Sequence, residues 1–250
     1  MKYKLLKSIY DKNKILFTII WIVLYCVLFS LGDYLSSLIG IDKIITLPIG
    51  LILSFVLFDF LRKYNLTSNY GLKKSNTPAS RMLFYIPLGI LLIINVWNGF
   101  TLNYTILETV LYVLSMFIVG FLEEVIFRGL LFKEMSKDGS VGAIIVSSLT
   151  FGIGHIINLF NGSNMDLLSN IMQIIYATSA GFMFVMVYLK TDSIIICILT
   201  HGLFNALSAF SISSNDITVE VVISLVITLI TLAYGLFILF NLNKNKNDNI

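Results

Sequence analysis

Long apolar segments are the feature of this 250-residue chain that most constrains its fold. An α-helix rises 1.5 Å per residue, so about 20 apolar residues are needed to cross roughly 30 Å of hydrocarbon. The sequence contains eight candidate membrane spans of this kind, near 15–32, 44–61, 82–96, 109–132, 141–160, 171–189, 193–212 and 221–240. They are continuously apolar rather than alternating, which favours helices over barrel strands. We therefore predict an all-α, polytopic membrane helix bundle.

The composition supports a single membrane domain over 1–250. Hydrophobic residues make up 57% of the chain and charged residues 12%, whereas a globular domain carries about 25% charged residues. No soluble domain is therefore expected. Cys26 and Cys197 both lie inside apolar segments, so we predict no disulfide framework and no cysteine metal site. The net charge of +3 is too small to indicate a nucleic-acid partner.

The distribution of basic residues predicts the orientation in the membrane. With eight spans, sixteen of the seventeen Lys and Arg residues fall on the side of the termini or at its membrane edge, and Lys43 is the exception. By the positive-inside rule, both termini are then cytoplasmic. The first apolar segment has no cleavage site before Asp33, so we interpret it as a retained helix. The richness in Ile, Asn and Lys is typical of AT-rich bacterial genomes, which predicts the cytoplasmic membrane as the location.

Three charged residues interrupt the fourth span. A charge near the middle of a membrane helix costs between about 3 and more than 10 kcal/mol, so each needs a partner or a function. Glu124 and Arg128 are four residues apart with the acid first, which is the favourable order for a salt bridge. Glu123 is about 100° further around an ideal helix. We therefore expect Glu123 to lack a structural partner.

The two histidines of the chain, His155 and His201, also lie inside predicted spans, and Asn205 follows His201 by one helical turn. Counted from the cytoplasmic ends of their spans, Glu123, His201 and His155 are roughly 14, 12 and 21 Å deep. Ordinary helix tilts can bring them to one level. An isolated histidine or asparagine in a membrane usually makes a packing hydrogen bond. Glu123, His155, His201 and Asn205 lie at similar depth on three predicted helices, which favours a shared site.

These residues form three motifs that resemble those of a known family. The motifs are Glu123-Glu124-x-x-x-Arg128, Phe151-x-x-x-His155 and His201-x-x-x-Asn205. In this order on three apolar segments, they resemble the motifs of the CAAX protease and bacteriocin-processing (CPBP) intramembrane peptidases, which include the type II CAAX prenyl endopeptidase. The resemblance extends roughly over 115–210. We accordingly divide the chain into N-terminal helices without a recognisable motif (1–104), a CPBP-like catalytic core (105–212), and a last helix with a polar tail (213–250).

The resemblance implies a role for each motif residue. Glu123 would activate a water molecule and His155 would assist it, while His201 and Asn205 would stabilise the oxyanion. The remaining motif residues would support the site structurally: Glu124, Arg128 and Phe151. Desolvated carboxylates and imidazole or amide donors in a low dielectric are suited to these roles.

The cofactor requirement is left open by the sequence. Glu123, His155 and His201 could hold a Zn²⁺ ion with one open coordination position. The zincin motif His-Glu-x-x-His is absent, however. The sequence is therefore compatible with both metal-free and zinc-dependent activation of water.

The leading hypothesis is an intramembrane endopeptidase that cuts a peptide or a membrane-anchored protein near the cytoplasmic leaflet of the bilayer. One alternative is a non-catalytic membrane protein, such as a bacteriocin self-immunity factor or a regulatory scaffold. Another is a transporter or channel that uses the same polar groups as an ion relay. The intact motifs favour the enzyme, because a scaffold has no need to retain four costly polar groups. A prenylated CAAX substrate is not expected in a bacterium.

Overall fold

The computed structural model describes residues 2–78, 82–161, 165–212, 214 and 216–247. Its helices are α1 (Lys4–Lys12), α2 (Lys14–Ile39), α3 (Thr46–Lys63), α4 (Met82–Asn95), α5 (Ile106–Glu123), α6 (Ser140–Gly154), α7 (Leu167–Thr191), α8 (Ile195–Leu207) and α9 (Ile217–Asn247). Helix α5 continues as a π-helix (Glu124–Phe132) and a short α-turn (Lys133–Met135), and α6 continues as a 3-10 helix (His155–Leu159). Within the described residues, strand pairing is confined to one isolated bridge between Phe100 and Ser211. The all-α prediction is confirmed.

Each of the eight predicted spans coincides with a helix. Five helical segments of the described chain are long and apolar enough to cross a membrane: Lys14–Ile39, Ile106–Met135, Ser140–Leu159, Leu167–Thr191 and Ile217–Leu242. The apolar helices Phe84–Asn95 and Ile195–Leu207 are shorter, and the 18-residue α3 carries charged residues near its end. The chain is therefore a multi-pass membrane protein, and the number of eight crossings stays a prediction.

Polar residues outside the apolar segments fix where helices begin. At the start of α5, the Thr105 hydroxyl accepts a hydrogen bond from the Glu108 backbone N–H, and the Glu108 carboxylate accepts one from the Thr105 backbone N–H. This capping box satisfies two N–H groups that the helix leaves unpaired. Asp166 caps α7 by accepting from the N–H groups of Leu168 and Ser169. Glu108 thus has a structural role at the helix end.

Small residues bring the helices that carry the motifs close together. A methyl group at Gly120 of α5 would lie 2.8 Å from the backbone nitrogen of Gly202 on α8. A methyl group at Gly152 of α6 would lie 2.8 Å from the backbone nitrogen of Thr178 on α7. Close backbone approach at small residues is typical of membrane helix packing. It places His201, next to Gly202, directly against α5.

The bundle is closed at the end where α1 lies. The Tyr10 and Tyr70 hydroxyl oxygens are 2.6 Å apart, and the Tyr70 hydroxyl donates to Glu134 Oε1 at 2.7 Å. Burial raises the pKa of Tyr70, so its hydroxyl stays protonated and can donate. Every residue of the neighbouring π-helix is buried. Buried side chains of the π-helix therefore lie between this end and Glu123.

Candidate active site

The π-helix begins directly after Glu123 and contains the other two charged residues of the first motif. Arg128 Nη1 donates to Glu124 Oε1 at 3.0 Å, and both side chains are fully buried. The predicted salt bridge is therefore present. Segments of π-helix are rare and often occur at functional sites, because they change the angular spacing of side chains along a helix.

His201 lies between the two acids of the first motif. Its Nδ1 is 2.9 Å from Glu124 Oε1, and its Nε2 is 3.5 Å from Glu123 Oε2. Spacing along one helix predicted only Arg128 as a partner for Glu124. That interpretation was incomplete, because both carboxylates reach one imidazole.

The charges of this cluster can balance. When His201 carries a proton on both ring nitrogens, Glu123, Glu124, Arg128 and His201 contribute −1, −1, +1 and +1, which sum to zero. The contact of 2.9 Å between His201 Nδ1 and Glu124 Oε1 needs a proton between the two atoms, whereas Nε2 makes no hydrogen bond to Glu123 Oε2. Buried charges are tolerated in a low dielectric when they are paired and hydrogen-bonded. The cluster is therefore compatible with its place inside the bundle.

Aromatic rings enclose the cluster. The Arg128 guanidinium carbon lies 4.1 Å from the centre of the Phe151 ring. Phe151 also contacts the rings of His155 and His201 edge to face, with centroids 5.5 and 5.7 Å away. Phe184 stacks on His201 at 5.8 Å. Phe151 thus has the supporting position that the resemblance implies. Phe184 was missed, because a phenylalanine in an apolar helix gives no functional signal.

Glu123 has a partner that the sequence analysis did not foresee. The Tyr25 hydroxyl on α2 donates to Glu123 Oε1 at 2.5 Å. The expectation that Glu123 lacks a structural partner is therefore wrong. The position of a residue around its own helix does not predict contacts with side chains of other helices. The other oxygen, Glu123 Oε2, accepts no hydrogen bond from any described residue.

His155 and Asn205 line the same cavity as Glu123 and His201. His155 is the residue at which α6 becomes a 3-10 helix. Its backbone carbonyl accepts a hydrogen bond from Asn170 Nδ2 at 2.8 Å, which fixes this junction against α7. The four residues to which the resemblance assigns catalytic roles thus face one space.

The cavity has a volume of about 980 Å³ and reaches the surface at the end opposite the termini. Its lining runs from Glu123 to the loops between α2 and α3, between α4 and α5, and between α8 and α9. Exposed residues at that end include Trp97 and Ile217. The membrane orientation of the chain, and with it the expected cleavage near the cytoplasmic leaflet, stays a prediction. Sequence periodicity gives the depth of a residue but not the direction in which a cavity opens.

A zinc ion would need about three protein ligands grouped around one point. Within the described residues, no three His, Cys, Asp or Glu side chains are grouped so that they could hold a metal ion. We therefore derive no step through zinc.

Comparison with known proteins supports the resemblance. Residues 105–207 match the family model described as type II CAAX prenyl endopeptidase Rce1-like. The matched segment contains all three motifs, so the predicted resemblance is confirmed over residues 105–207. No curated protein sequence matches the chain. Because the matched family is one of proteases, the comparison supports a peptidase with a peptide or protein substrate.

Proposed function

We propose that this protein is an intramembrane endopeptidase in which Glu123 activates the attacking water. The observation that carries the proposal is the state of the Glu123 carboxylate. It is 7% exposed, lines the cavity, and presents one oxygen that accepts no hydrogen bond from a described residue. A carboxylate oxygen that accepts no hydrogen bond keeps a lone pair with which it can take a proton from a water molecule.

The reaction needs no covalent intermediate. The water oxygen bonds to the carbon of the scissile carbonyl while Glu123 Oε2 takes a proton from that water. His201 and Asn205, one turn apart on α8 and both facing the cavity, donate hydrogen bonds to the resulting oxyanion. When the C–N bond breaks, the proton passes to the leaving nitrogen, with His155 assisting. The products are a carboxylic acid and an amine, and no serine or cysteine nucleophile is required.

Membrane peptidomics tests this function even while the substrate is unidentified. Peptides from membranes of a wild-type strain are compared with those from a strain in which Glu123 is replaced by glutamine. We expect a defined set of cleavage products to disappear and their precursor to accumulate in the variant. Identical peptide sets at equal protein abundance would instead favour the non-catalytic immunity factor or scaffold.

We further propose that the substrate enters from outside the cell. The cavity opens at the end opposite the termini, and the basic residues of the sequence place the termini in the cytoplasm. The basic exception, Lys43, lies at the cavity and pairs with Asp33 at 2.8 Å. The one basic residue on the predicted outer side therefore has its charge neutralised by a neighbouring carboxylate.

Reporter fusions test the orientation. Fusions after Lys137 and Lys190 should report a cytoplasmic location, because basic residues near membrane helices are retained inside. Fusions after Asn98, and after Asn164, which lies outside the described residues, should report the outside. Alkaline phosphatase and a cytoplasmically active fluorescent protein give opposite signals and serve as mutual controls. A reversed pattern would place the cavity mouth in the cytoplasm.

Chelation tests the metal-free mechanism. If the enzyme relies on Glu123, the purified protein should still cleave a peptide that contains a cleavage site found by peptidomics after exhaustive chelation. His201→Ala should be slower by about 100- to 1000-fold but retain residual activity, because one oxyanion donor is lost. The measurement is the rate of peptide cleavage, with bound metal determined in parallel. Loss of activity on chelation, recovery with zinc, and loss of bound metal in His155→Ala and His201→Ala would show a zinc enzyme.

A further inference from the structure

We infer that Tyr25 on α2 is a positioning residue that holds the Glu123 carboxylate in its working orientation. The inference rests on the proposed function, because it gives Tyr25 a purpose in the reaction through Glu123. Tyr25 lies outside the segment that matches the protease family, in the part of the chain without a recognisable motif.

The contact between Tyr25 and Glu123 is short and well anchored. The distance of 2.5 Å from the Tyr25 hydroxyl to Glu123 Oε1 lies at the short end of the range for O–H···O hydrogen bonds. The Tyr25 ring packs on Phe29, one turn further along α2, with centroids 4.6 Å apart. Phe29 is buried. Because the Tyr25 ring packs on a buried neighbour, the position of its hydroxyl is fixed.

This hydrogen bond gives the two carboxylate oxygens different environments. Oε1 is occupied by Tyr25, while Oε2 is 3.5 Å from His201 Nε2 and accepts no hydrogen bond from a described residue. Rotation of the carboxylate would break the Tyr25 bond. Tyr25 thus keeps Oε2 available for the water.

Other ionisable groups lie around Glu123 and must be considered in any test that varies pH. They come from α2, from the 3-10 helix after α6, from α8 and from the π-helix: Cys26, His155, His201, Glu124 and Arg128. Replacement of Tyr25 by phenylalanine leaves all of these groups in place and keeps the ring that packs on Phe29. It removes only the hydroxyl.

Labelling with dicyclohexylcarbodiimide measures the effect without a substrate. This apolar reagent reacts with protonated carboxyl groups, and mass spectrometry of fragment ions distinguishes Glu123 from Glu124. A hydrogen bond donated to a carboxylate favours its charged form, so loss of the Tyr25 hydroxyl should move the pH of half-maximal Glu123 labelling upward by about one to two units. In the cleavage assay, kcat of Tyr25→Phe should fall about tenfold or more, with little change in KM.

Tyr112→Phe is the matched control. Tyr112 lines the same cavity, but its ring stacks on Tyr104 at a centroid distance of 5.1 Å. Its labelling curve should coincide with that of the wild type. An unchanged labelling curve for folded Tyr25→Phe would overturn the inference. A shifted curve in a protein that cleaves nothing would instead preserve the contact and reject the proposed function, so the two failures can be distinguished.

Discussion

Replacement of Glu123 by glutamine should abolish cleavage while leaving the amount of folded protein nearly unchanged. The amide cannot accept the proton from water, and loss of a general base typically costs 10²- to 10⁴-fold in rate. The fold should tolerate the change for two reasons. Glutamine keeps an oxygen that can accept the hydrogen bond from Tyr25, and His201 can lose its second proton, so the cluster with Glu124 and Arg128 stays neutral.

The measurement is the cleavage rate of purified, reconstituted protein at matched folded amounts. Glu220→Gln is the control, because Glu220 lines the same cavity near its mouth and receives the same substitution. It should retain most of the activity. Wild-type activity in Glu123→Gln would remove Glu123 from the mechanism.

Replacement of Glu124 by glutamine should act on stability. Arg128 is fully buried, and its Nε and Nη2 atoms have no hydrogen-bond partner among the described residues, so Glu124 Oε1 is the oxygen that pairs with it. Loss of one partner of a buried ion pair leaves an uncompensated charge, at a cost of about 3–5 kcal/mol. His201 Nδ1 loses the same carboxylate. We expect lower abundance and a lower Tm in detergent.

A double variant shows whether the loss of stability in Glu124→Gln comes from the unpaired charge of Arg128 or from altered packing. Glu124→Leu combined with Arg128→Met removes both charges and should recover part of the lost Tm, because apolar replacement of a whole buried pair is often neutral or stabilising. The assigned roles would be exchanged if Glu124→Gln were inactive at normal abundance while Glu123→Gln remained active.

The sequence predicted those parts of the fold and site that depend on composition and on spacing within one helix. Apolar length located the helices, and the four-residue spacing of Glu124 and Arg128 predicted their salt bridge. The order of the three motifs identified the residues that face one cavity. These features follow from the cost of placing polar groups in hydrocarbon, which leaves a clear pattern along the chain.

The remaining features depend on contacts between helices and leave no such pattern. Tyr25 is an ordinary residue for an apolar helix, and only packing shows that its hydroxyl reaches Glu123. The π-helix has no sequence signature that periodicity can detect, yet it begins where Glu123 and Glu124 both reach His201. The end of the bundle at which the cavity opens follows from how the loops and the π-helix pack, and no pattern along the chain predicts it.

The most direct test of the central claim follows the oxygen of water into the product. Reconstituted enzyme is incubated in H₂¹⁸O with a synthetic peptide that spans a cleavage site found by peptidomics, and the products are analysed by mass spectrometry. Wild-type protein should place one ¹⁸O atom in the newly formed terminal carboxyl group, and Glu123→Gln should give no product above background. Labelled product formed by Glu123→Gln at the wild-type rate, or no cleavage by the folded wild-type protein, would contradict the account.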